Sequence, residues 1–594
     1  MNKNVVNVPN IVDNSQGDEN INTLFCDKYN TLYNSVSYNV NEMNTLLDRI
    51  NMNVNNICNN NLCKSSHNIT VDDVTAAVDR LKPYKADGAE AASSDTLIHA
   101  SPELYIHLCL LFNAMLRHGV CPGNMCISTL IPIPKNKKKS LNDSNNYRAI
   151  ALGSVVCKVI DNIILVNHQN ILLSDELQFG FKKGHSTVHC SFVLNEVMNY
   201  YSSRNSPTLL LFLDASKAFD RVQYVKLFDL LLKRGLCAMV ARFLAYMYTN
   251  QVLRVNWNGC ISDVFTTSNG VKQGGILSPI LFCIYIDELF RKLKLSGYGC
   301  YIGDMFYGAL GYADDVCLLA PSRTALSKMI SICESYGEEY DVQFNTQKTH
   351  LVVHDVFNKY DNMIPLTFNG DIIIRNSNVT HLGHVVGIDS NNITIKHAVR
   401  EIMWRTNYVL SRFSSCNSQV KSQLFRTFCT NYYGCVLWRL NSNILQKCYA
   451  KWRNCIRKIW NVPKRTHCGL LKYLYDGPSI ETELLSRYLM FYGSVCNSTN
   501  RHTRLCSELC VSSNTAAAVN RRLLMAHLNI DSLCFQEISC VTYKNKLVDS
   551  FPYNDVYANV GNTLRELCLV RDNVLSTELQ PVEVIEIIND LCVN

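Results

Sequence analysis

Two acidic sites in this chain occupy positions that a folded core would ordinarily refuse. Asp214 ends the run Leu209-Leu210-Leu211-Phe212-Leu213, five apolar residues whose length fits a buried strand. Asp314 and Asp315 interrupt Leu310-Gly311-Tyr312-Ala313 and Val316-Cys317-Leu318-Leu319, which reads as two strands joined by a tight turn. Burial penalises a charged carboxylate, and like charges brought together raise each other's pKa unless a cation neutralises them. A fold that keeps carboxylates here is expected to hold a hard cation, and oxygen-rich clusters of this kind suit Mg2+. Two such ions about 4 Å apart would clamp the attacking and leaving oxygens of a phosphoryl transfer. Taken alone, an Asp-Asp pair is more often a strand-end turn, so the flanking sequence has to decide.

The surroundings predict an α+β fold. Thr70-x-x-Asp73 resembles a capping box, and Val71, Val74, Val78 and Leu81 follow at helical spacing. Ser101-Pro102 opens a second helix that stops at Gly119, and further helices are expected at about 154–171, 186–202, 223–235, 279–294 and 322–339. Strand candidates are Leu130–Pro134, Thr208–Asp214, Val252–Trp257 and Val316–Ala320. They do not alternate regularly with helices, which predicts a mainly antiparallel sheet carrying helices on one side. Beyond Leu382 the strand signal fades and the chain reads as helical. The first 62 residues contain 19 Asn, so 1–68 is expected to be a poorly ordered lead-in.

Charge is informative only when it is divided along the chain. The 57 Lys/Arg and 50 Asp/Glu of the 594 residues leave a mild +7. Yet Ile402–Leu470 holds twelve Lys/Arg and no Asp or Glu, so the remainder is slightly acidic and a basic module is concealed. Four of the five tryptophans (Trp404, Trp438, Trp452, Trp460) fall in that module. Basic residues neutralise phosphates and aromatics can stack on unpaired bases, but most of these tryptophans are expected to be helix core. Arg453, Arg457 and Lys458 are the predicted nucleic-acid contacts there. Lys135–Lys139, with four lysines, is a second candidate.

A hydrophobic content of 47% excludes wholesale disorder and fibrous builds. No stretch reaches 18 uninterrupted apolar residues and no signal pattern opens the chain, which predicts a soluble intracellular protein without membrane contact. The 27 cysteines mostly sit in apolar runs and read as buried free thiols. Cys496, His502, Cys506 and Cys510 have zinc-ligand chemistry, but the paired Cys-x2-Cys knuckle is missing and the x3 spacing also fits one helix face.

Phe212-Leu213-Asp214-Ala215-Ser216-Lys217-Ala218-Phe219-Asp220 resembles motif A of reverse transcriptases, and Tyr312-Ala313-Asp314-Asp315 resembles their motif C. Gly270-Val271-Lys272-Gln273-Gly274-Gly275-Ile276-Leu277-Ser278-Pro279 is similar to motif B. Leu130–Lys135, Asn146–Ile150 and Lys158 resemble the family's IPK…YRPIS…K fingers, and Gln178–Thr187 its QFGFRxGRST segment. Asn345-x-x-Lys348 fits motif D, and His381-Leu382-Gly383 fits the primer-grip motif E. The likeness covers about residues 80–470 and has the flavour of non-LTR, LINE-like, jockey-type retrotransposons.

The resemblance implies a right-hand polymerase: fingers and palm over 69–380, a basic helical thumb and following segment over 381–470, and a helical 471–594 of unassigned role. It implies an RNA-directed DNA polymerase acting by two-Mg2+ nucleotidyl transfer from dNTP to a primer 3′-OH, with Mn2+ as a substitute. Asp214, Asp314 and Asp315 would hold metal with the Ala215 carbonyl, and Lys348 would give a proton to pyrophosphate. Arg148 would grip the triphosphate, Phe219 would block a ribose 2′-OH, and Gln273 and Gly274 would lie against the nascent base pair. Lys182 stands where the family has a template-contacting arginine. Implied partners are RNA template, DNA primer and target, and an element-encoded RNA-binding protein or endonuclease supplied separately. The implied setting is the nucleus, with a cytoplasmic ribonucleoprotein stage. Competing readings are a catalytically retired RNA-binding remnant and an intron maturase-like reverse transcriptase. A viral RNA-copying RNA polymerase is disfavoured by Tyr312 and Phe219.

Overall fold

The apolar run ending at Asp214 forms the central strand of a five-stranded sheet in a computed structural model of the chain. The model describes residues 9–60, 68–86, 88, 93–215, 217–355, 359–360, 362–509, 513–535, 539–550 and 558–576. In chain order the main strands are β1 (Ile127–Pro134), β2 (Tyr147–Leu152), β3 (Thr208–Asp214), β4 (Val252–Trp257), β5 (Ala309–Tyr312), β6 (Asp315–Ala320), β7 (His350–His354), β8 (Ile374–Asn376), β9 (Asn378–His381) and β10 (His384–Gly387). The helices that matter below are α1 (Asp18–Tyr33), α2 (Thr187–Ser202), α3 (Ser278–Leu295), α4 (Ser390–Arg412), α5 (Asn443–Ile459), α6 (Ile480–Cys496) and α7 (Arg501–Leu509).

The first sheet runs β5-β6-β3-β7-β8, antiparallel except for the parallel β7–β8 pair. Leu209–Leu213 of β3 and Val316–Ala320 of β6 are buried on both faces, which explains why these strands read as continuous apolar runs rather than alternating ones. A second sheet joins β2, β1 and β4, with β1 parallel to β4. The capping box at Thr70 forms, and the helix opened by Pro102 ends at Gly119, which takes a left-handed φ of 70°. The α+β expectation holds, with the two sheets embedded among helices.

The lead-in differs from expectation. Residues 9–60 are ordered, because Phe25, Tyr29 and Tyr33 recur at i, i+4 and i+8 on α1 and form one apolar stripe. That stripe packs on Leu130, Tyr147, Ala149, Ala151 and Trp257 of the second sheet. Asn-richness concealed it, since asparagines fill outer positions and caps. Asn39, for example, accepts N–H bonds from Asn41 and Glu42 at the start of the Val40–Asn53 helix. Residues 1–8 and 61–67 lie outside the described ones.

Behind the β9–β10 hairpin, α4 and α5 organise a second apolar cluster containing Trp438, Trp452 and Trp460. This cluster continues through α6 and the 516–528 helix, where Asn520 accepts from the Leu440 N–H at 2.9 Å and donates to the Trp438 carbonyl at 2.8 Å. The C-terminal helices thus share a core with the basic segment. Further on, α7 docks on the first sheet's helices: the imidazole of His502 engages Glu176 at 3.2 Å and the Phe306 carbonyl at 3.0 Å. Both ring nitrogens are occupied by protein groups, so His502 serves as a packing residue. Among the described residues no cluster of His, Cys, Asp and Glu forms that would hold zinc, and Cys510 lies outside them. Among the same residues no helix is long and apolar enough to cross a membrane.

Candidate active site

Strand register builds the site. Antiparallel pairing puts Asp315 opposite Asp214, and the last β5–β6 pair is Tyr312 with Asp315. Ala313 and Asp314 are therefore a two-residue turn at the sheet's rim, with Asp314 beside the other two carboxylates. Their proximity is felt electrostatically. Burial, then Asp314 and Asp214, push Asp315 up to about 6, and burial followed by Asp214 raises Asp314 as well. The two pulls that the sequence foresees, desolvation and like charge, both act here.

Cations converge on the same rim. Lys348 Nζ sits 2.9 Å from Asp214 Oδ2. Arg148 projects from β2, exposed between the buried Tyr147 and Ala149, and its charge reaches Asp314. Lys135 is lowered by burial and then by Arg148, with Lys217 and Lys348 adding to the repulsion. Lys348 and Arg148 thus face the three carboxylates, with Lys135 and Lys217 beside Asp220, a distribution suited to a polyanionic ligand bound through metal. Among the described residues the three carboxylates do not stand as a ready-made three-ligand cluster. The Lys348 ammonium is the positive charge that Asp214 holds instead.

Gln273 and Phe219 are both fixed. Gln273 Nε2 donates to the two oxygens of Asp220 at 3.0 and 3.1 Å, and its carbonyl accepts from the Ala151 N–H at 2.7 Å. Gly274 follows at φ 119°, and a Cβ there would stand 2.7 Å from the Ala151 carbonyl, so only glycine lets this loop lie against β2. Phe219 stacks on Phe282 of α3 at 4.5 Å and meets Phe181 edge-on at 6.2 Å. Ala215 is buried in an antiparallel bridge with Phe344, next to Asp214, whose own carbonyl accepts from the Asn345 N–H at 2.8 Å. Ser216 lies outside the described residues.

The predicted nucleic-acid contacts fare differently. Lys182 is turned inward, donating to the Asp175 carbonyl at 2.5 Å with Asp287 and Glu176 nearby. Arg457 donates twice to the Thr466 carbonyl, at 2.8 and 3.3 Å, and Arg453 faces Glu481 at 4.0 Å. Lys458 remains exposed, with Asn407 at 3.4 Å. Lys182 and Arg457 are thus engaged by backbone carbonyls, and Arg453 stands at the edge of an ion pair with Glu481. Trp438, Trp452 and Trp460 are buried as expected, whereas Trp404 is 65% exposed and stacked on Tyr408.

Sequence reasoning assigned no role to Asp220, Lys217 or Gln178. Burial pushes Asp220 up to about 6, and only its place in the motif A run hinted that this carboxylate matters. Gln178 was marked only as the first residue of the Gln178–Thr187 segment, and a lone amide there carries no sign of what it bonds.

Residues 133–386 match the family described as reverse transcriptase (RNA-dependent DNA polymerase). The RNA-directed DNA polymerase from mobile element jockey of Drosophila funebris is 25% identical over 491 residues, covering 77% of this chain and 51% of that protein. The probable RNA-directed DNA polymerase from transposon X-element of Drosophila melanogaster is 29% identical over 256 residues, 42% of this chain and 27% of that one. The chain thus spans about half the length of the first relative and about a quarter of the second. Among solved structures, apo telomerase from Candida tropicalis, truncated from its C-terminal domain, aligns at a TM-score of 0.32 and 14% identity, covering 51% of this chain and 61% of that one. With motifs A, B and C brought together, residues 133–386 match the reverse transcriptase family, form a right-hand polymerase fold and are similar to the RNA-directed DNA polymerases of non-LTR retrotransposons.

Proposed function

We propose that this chain is an RNA-directed DNA polymerase that extends a primer 3′-OH on an RNA template, in the service of target-primed reverse transcription. The observation that carries the reading is the β3–β6 register, which sets Asp214 across from Asp315 with Asp314 in the adjoining turn. Reverse transcriptases as a family depend on divalent metal. We infer two Mg2+ ions, replaceable by Mn2+, held by Asp214, Asp314, Asp315 and the Ala215 carbonyl. The donor set fits: it is all oxygen, burial and then the neighbouring carboxylates raise Asp315, and an ammonium already stands on Asp214. When bound, such ions acidify the primer hydroxyl and stabilise charge building on the phosphate oxygens.

The chain's own residues supply the rest. Arg148 and Lys135 offer planar and point charges to the triphosphate, and Lys217 adds a third from motif A. Gln273 and Gly274 present a fixed edge to the nascent pair. Phe219, clamped by Phe282, is a rigid wall against a 2′-OH, since its ring cannot swing aside without losing that stack. To Lys348, paired with Asp214 in the free protein, we assign protonation of the departing pyrophosphate. On the family likeness alone we assign the work to the nucleus, with a cytoplasmic ribonucleoprotein stage, and leave strand nicking to an endonuclease supplied separately.

The test is primer extension on an RNA template with Mg2+, supplying dNTPs and NTPs in parallel. The expected result is dNTP incorporation that Asp314→Ala abolishes. No extension by folded wild-type protein would leave an RNA-binding remnant as the reading, and preferential NTP use would overturn the role of Phe219.

A further inference from the structure

Asp314 is carried by a turn that its own sequence does not favour. A two-residue hairpin turn with positive φ at its first position ordinarily uses Gly, Asn or Asp, yet that position is Ala313, at φ 59°. Something outside the hairpin must hold the turn in this shape, because the direction of the Ala313 peptide groups sets the direction of the next side chain, Asp314.

One side chain does this. Gln178 Oε1 accepts the Ala313 N–H at 2.7 Å, and Gln178 Nε2 donates to the Ala313 carbonyl at 3.1 Å. A single amide therefore satisfies both polar groups of the residue before Asp314. The amide is itself immobilised. Gln178 is fully buried, and its Oε1 takes a further N–H from Gly180 at 2.9 Å. Its backbone runs as an added bridge beside β5, with the Phe179 N–H on the Gly311 carbonyl at 2.7 Å and the Gly311 N–H on the Leu177 carbonyl at 2.8 Å. Gly180 permits the approach, since a Cβ there would stand 2.5 Å from the Ala313 nitrogen.

We propose that Gln178 is a positioning residue for the polymerase site: its amide fixes the strained Ala313 peptide and so aims the Asp314 carboxylate. The assignment rests on the polymerase reading. An apolar or packing role for Gln178 would need none of this geometry. Both of its polar atoms are directed at one residue of the turn, and both donor and acceptor are required.

Three full-length variants test it: Gln178→Met, which keeps volume and loses both bonds; Gln178→Glu, which keeps the acceptor and loses the donor; and Gln178→Met with Ala313→Gly. For Gln178→Met we expect kcat for dNTP incorporation to fall about 10- to 100-fold, the penalty typical of a misplaced reacting group, with KM for dNTP little changed. Mn2+ binding to the metal-free protein, read by electron paramagnetic resonance, should weaken about 10-fold, as for other residues that orient metal ligands. Gln178→Glu should show the same pattern more mildly. Adding Ala313→Gly should restore a large part of kcat, because glycine adopts the turn unaided. If Gln178→Met only lowers the thermal midpoint and the active fraction, with Mn2+ affinity unchanged and no rescue by Ala313→Gly, Gln178 is a core residue and the assignment fails. Should Gln178→Met not fold, an unchanged Mn2+ affinity and kcat in Gln178→Glu overturn it equally. Absence of extension by the wild type would instead remove the polymerase reading, and this assignment with it.

Discussion

At the tip of the β3–β6 pair, three carboxylates crowd one rim, and Lys348 is the ion-pair partner that only Asp214 has there among the described residues. Along α4, α5 and the loops between them the position is reversed. The basic segment that holds no acidic residue in sequence finds its partners elsewhere in the chain. Arg405 pairs with Glu401, Arg453 faces Glu481, and Arg426 bonds the Asp476 carbonyl. Burial that Lys348 and Arg148 only partly offset raises Asp315 and Asp314, a cost to stability of the kind that gathers at functional sites. Pairing in the basic helices lowers the cost of charge and, in the same measure, removes that charge from any ligand. Charge that stabilises and charge that is kept for function can thus be told apart by their partners, not by their number.

The sharpest way to test this contrast is to neutralise a carboxylate. Asp214→Asn or Asp314→Asn should lower dNTP incorporation by about 10³-fold or more, since metal clamping of the reacting oxygens is lost. Asp314→Asn, which breaks no ion pair, should also raise the thermal midpoint of metal-free protein, because a buried repelling charge is gone. Equal losses of activity and stability would mean that the palm carboxylates are ordinary structural groups. The next largest effect is expected at the ribose wall. Phe219→Ala should cut discrimination against NTPs by about 100-fold while leaving dNTP turnover within a few-fold, as removal of a steric barrier does. Unchanged discrimination in a competition assay would show that the 2′-OH is excluded elsewhere.

The palm was legible in the sequence because its information is local. An apolar run, a carboxylate at its end and a turn flanked by strands are all written within a dozen residues, and their register follows from β pairing. What was not legible depends on contacts between distant segments. Gln178 and Ala313 lie 135 residues apart, and nothing in either neighbourhood announces a hydrogen bond. The α1 stripe was hidden by counting Asn rather than asking where Phe25, Tyr29 and Tyr33 fall. The charge of 402–470 misled in the same way: the window starts one residue after Glu401 and stops short of Asp476, Glu481 and Glu483. The zinc-like series could not be decided by spacing, because spacing on a helix does not show that both His502 nitrogens face protein groups.

Two smaller effects separate the regions by stability. Asp220 is buried, and its pKa in the fold is pushed from the ordinary 3.8 up to about 6. A raised carboxyl pKa means that the folded state holds its proton more tightly than the unfolded one, so this contribution destabilises as pH rises from about 4 to about 6 and then levels off. At 1.36 kcal/mol per unit the span is roughly 3 kcal/mol. Denaturant titrations of wild type and Asp220→Asn between pH 4 and 7 should differ by a slope of that sign, and parallel curves would show that Asp220 does not titrate in this window. In the basic helices the expectation is of another kind. Arg457→Ala removes the two charge-assisted hydrogen bonds to the Thr466 carbonyl and should cost about 1–3 kcal/mol at every pH, while RNA affinity holds steady.

The weakest expected effect is the one that decides where the basic segment meets nucleic acid. Lys447, Lys451, Lys464 and Arg465 are exposed and form no ion pair or hydrogen bond among the described residues, in contrast to Arg453 and Arg457. Counterion release makes affinity fall with salt in proportion to the phosphates neutralised, with a slope of about 0.7 per contact on single strands. Each Lys→Gln change at 447, 451 or 464 that removes a real contact should therefore flatten the salt dependence of RNA binding by about 0.7, with only a few-fold loss of affinity at moderate salt. Arg453→Gln should leave the slope untouched, because the side chain already answers Glu481. The opposite outcome, a flattened slope for Arg453→Gln and none for the exposed lysines, would mean that the Glu481 pair opens to deliver its arginine to phosphate. The contrast between paired and unpaired charge would then describe only the free protein.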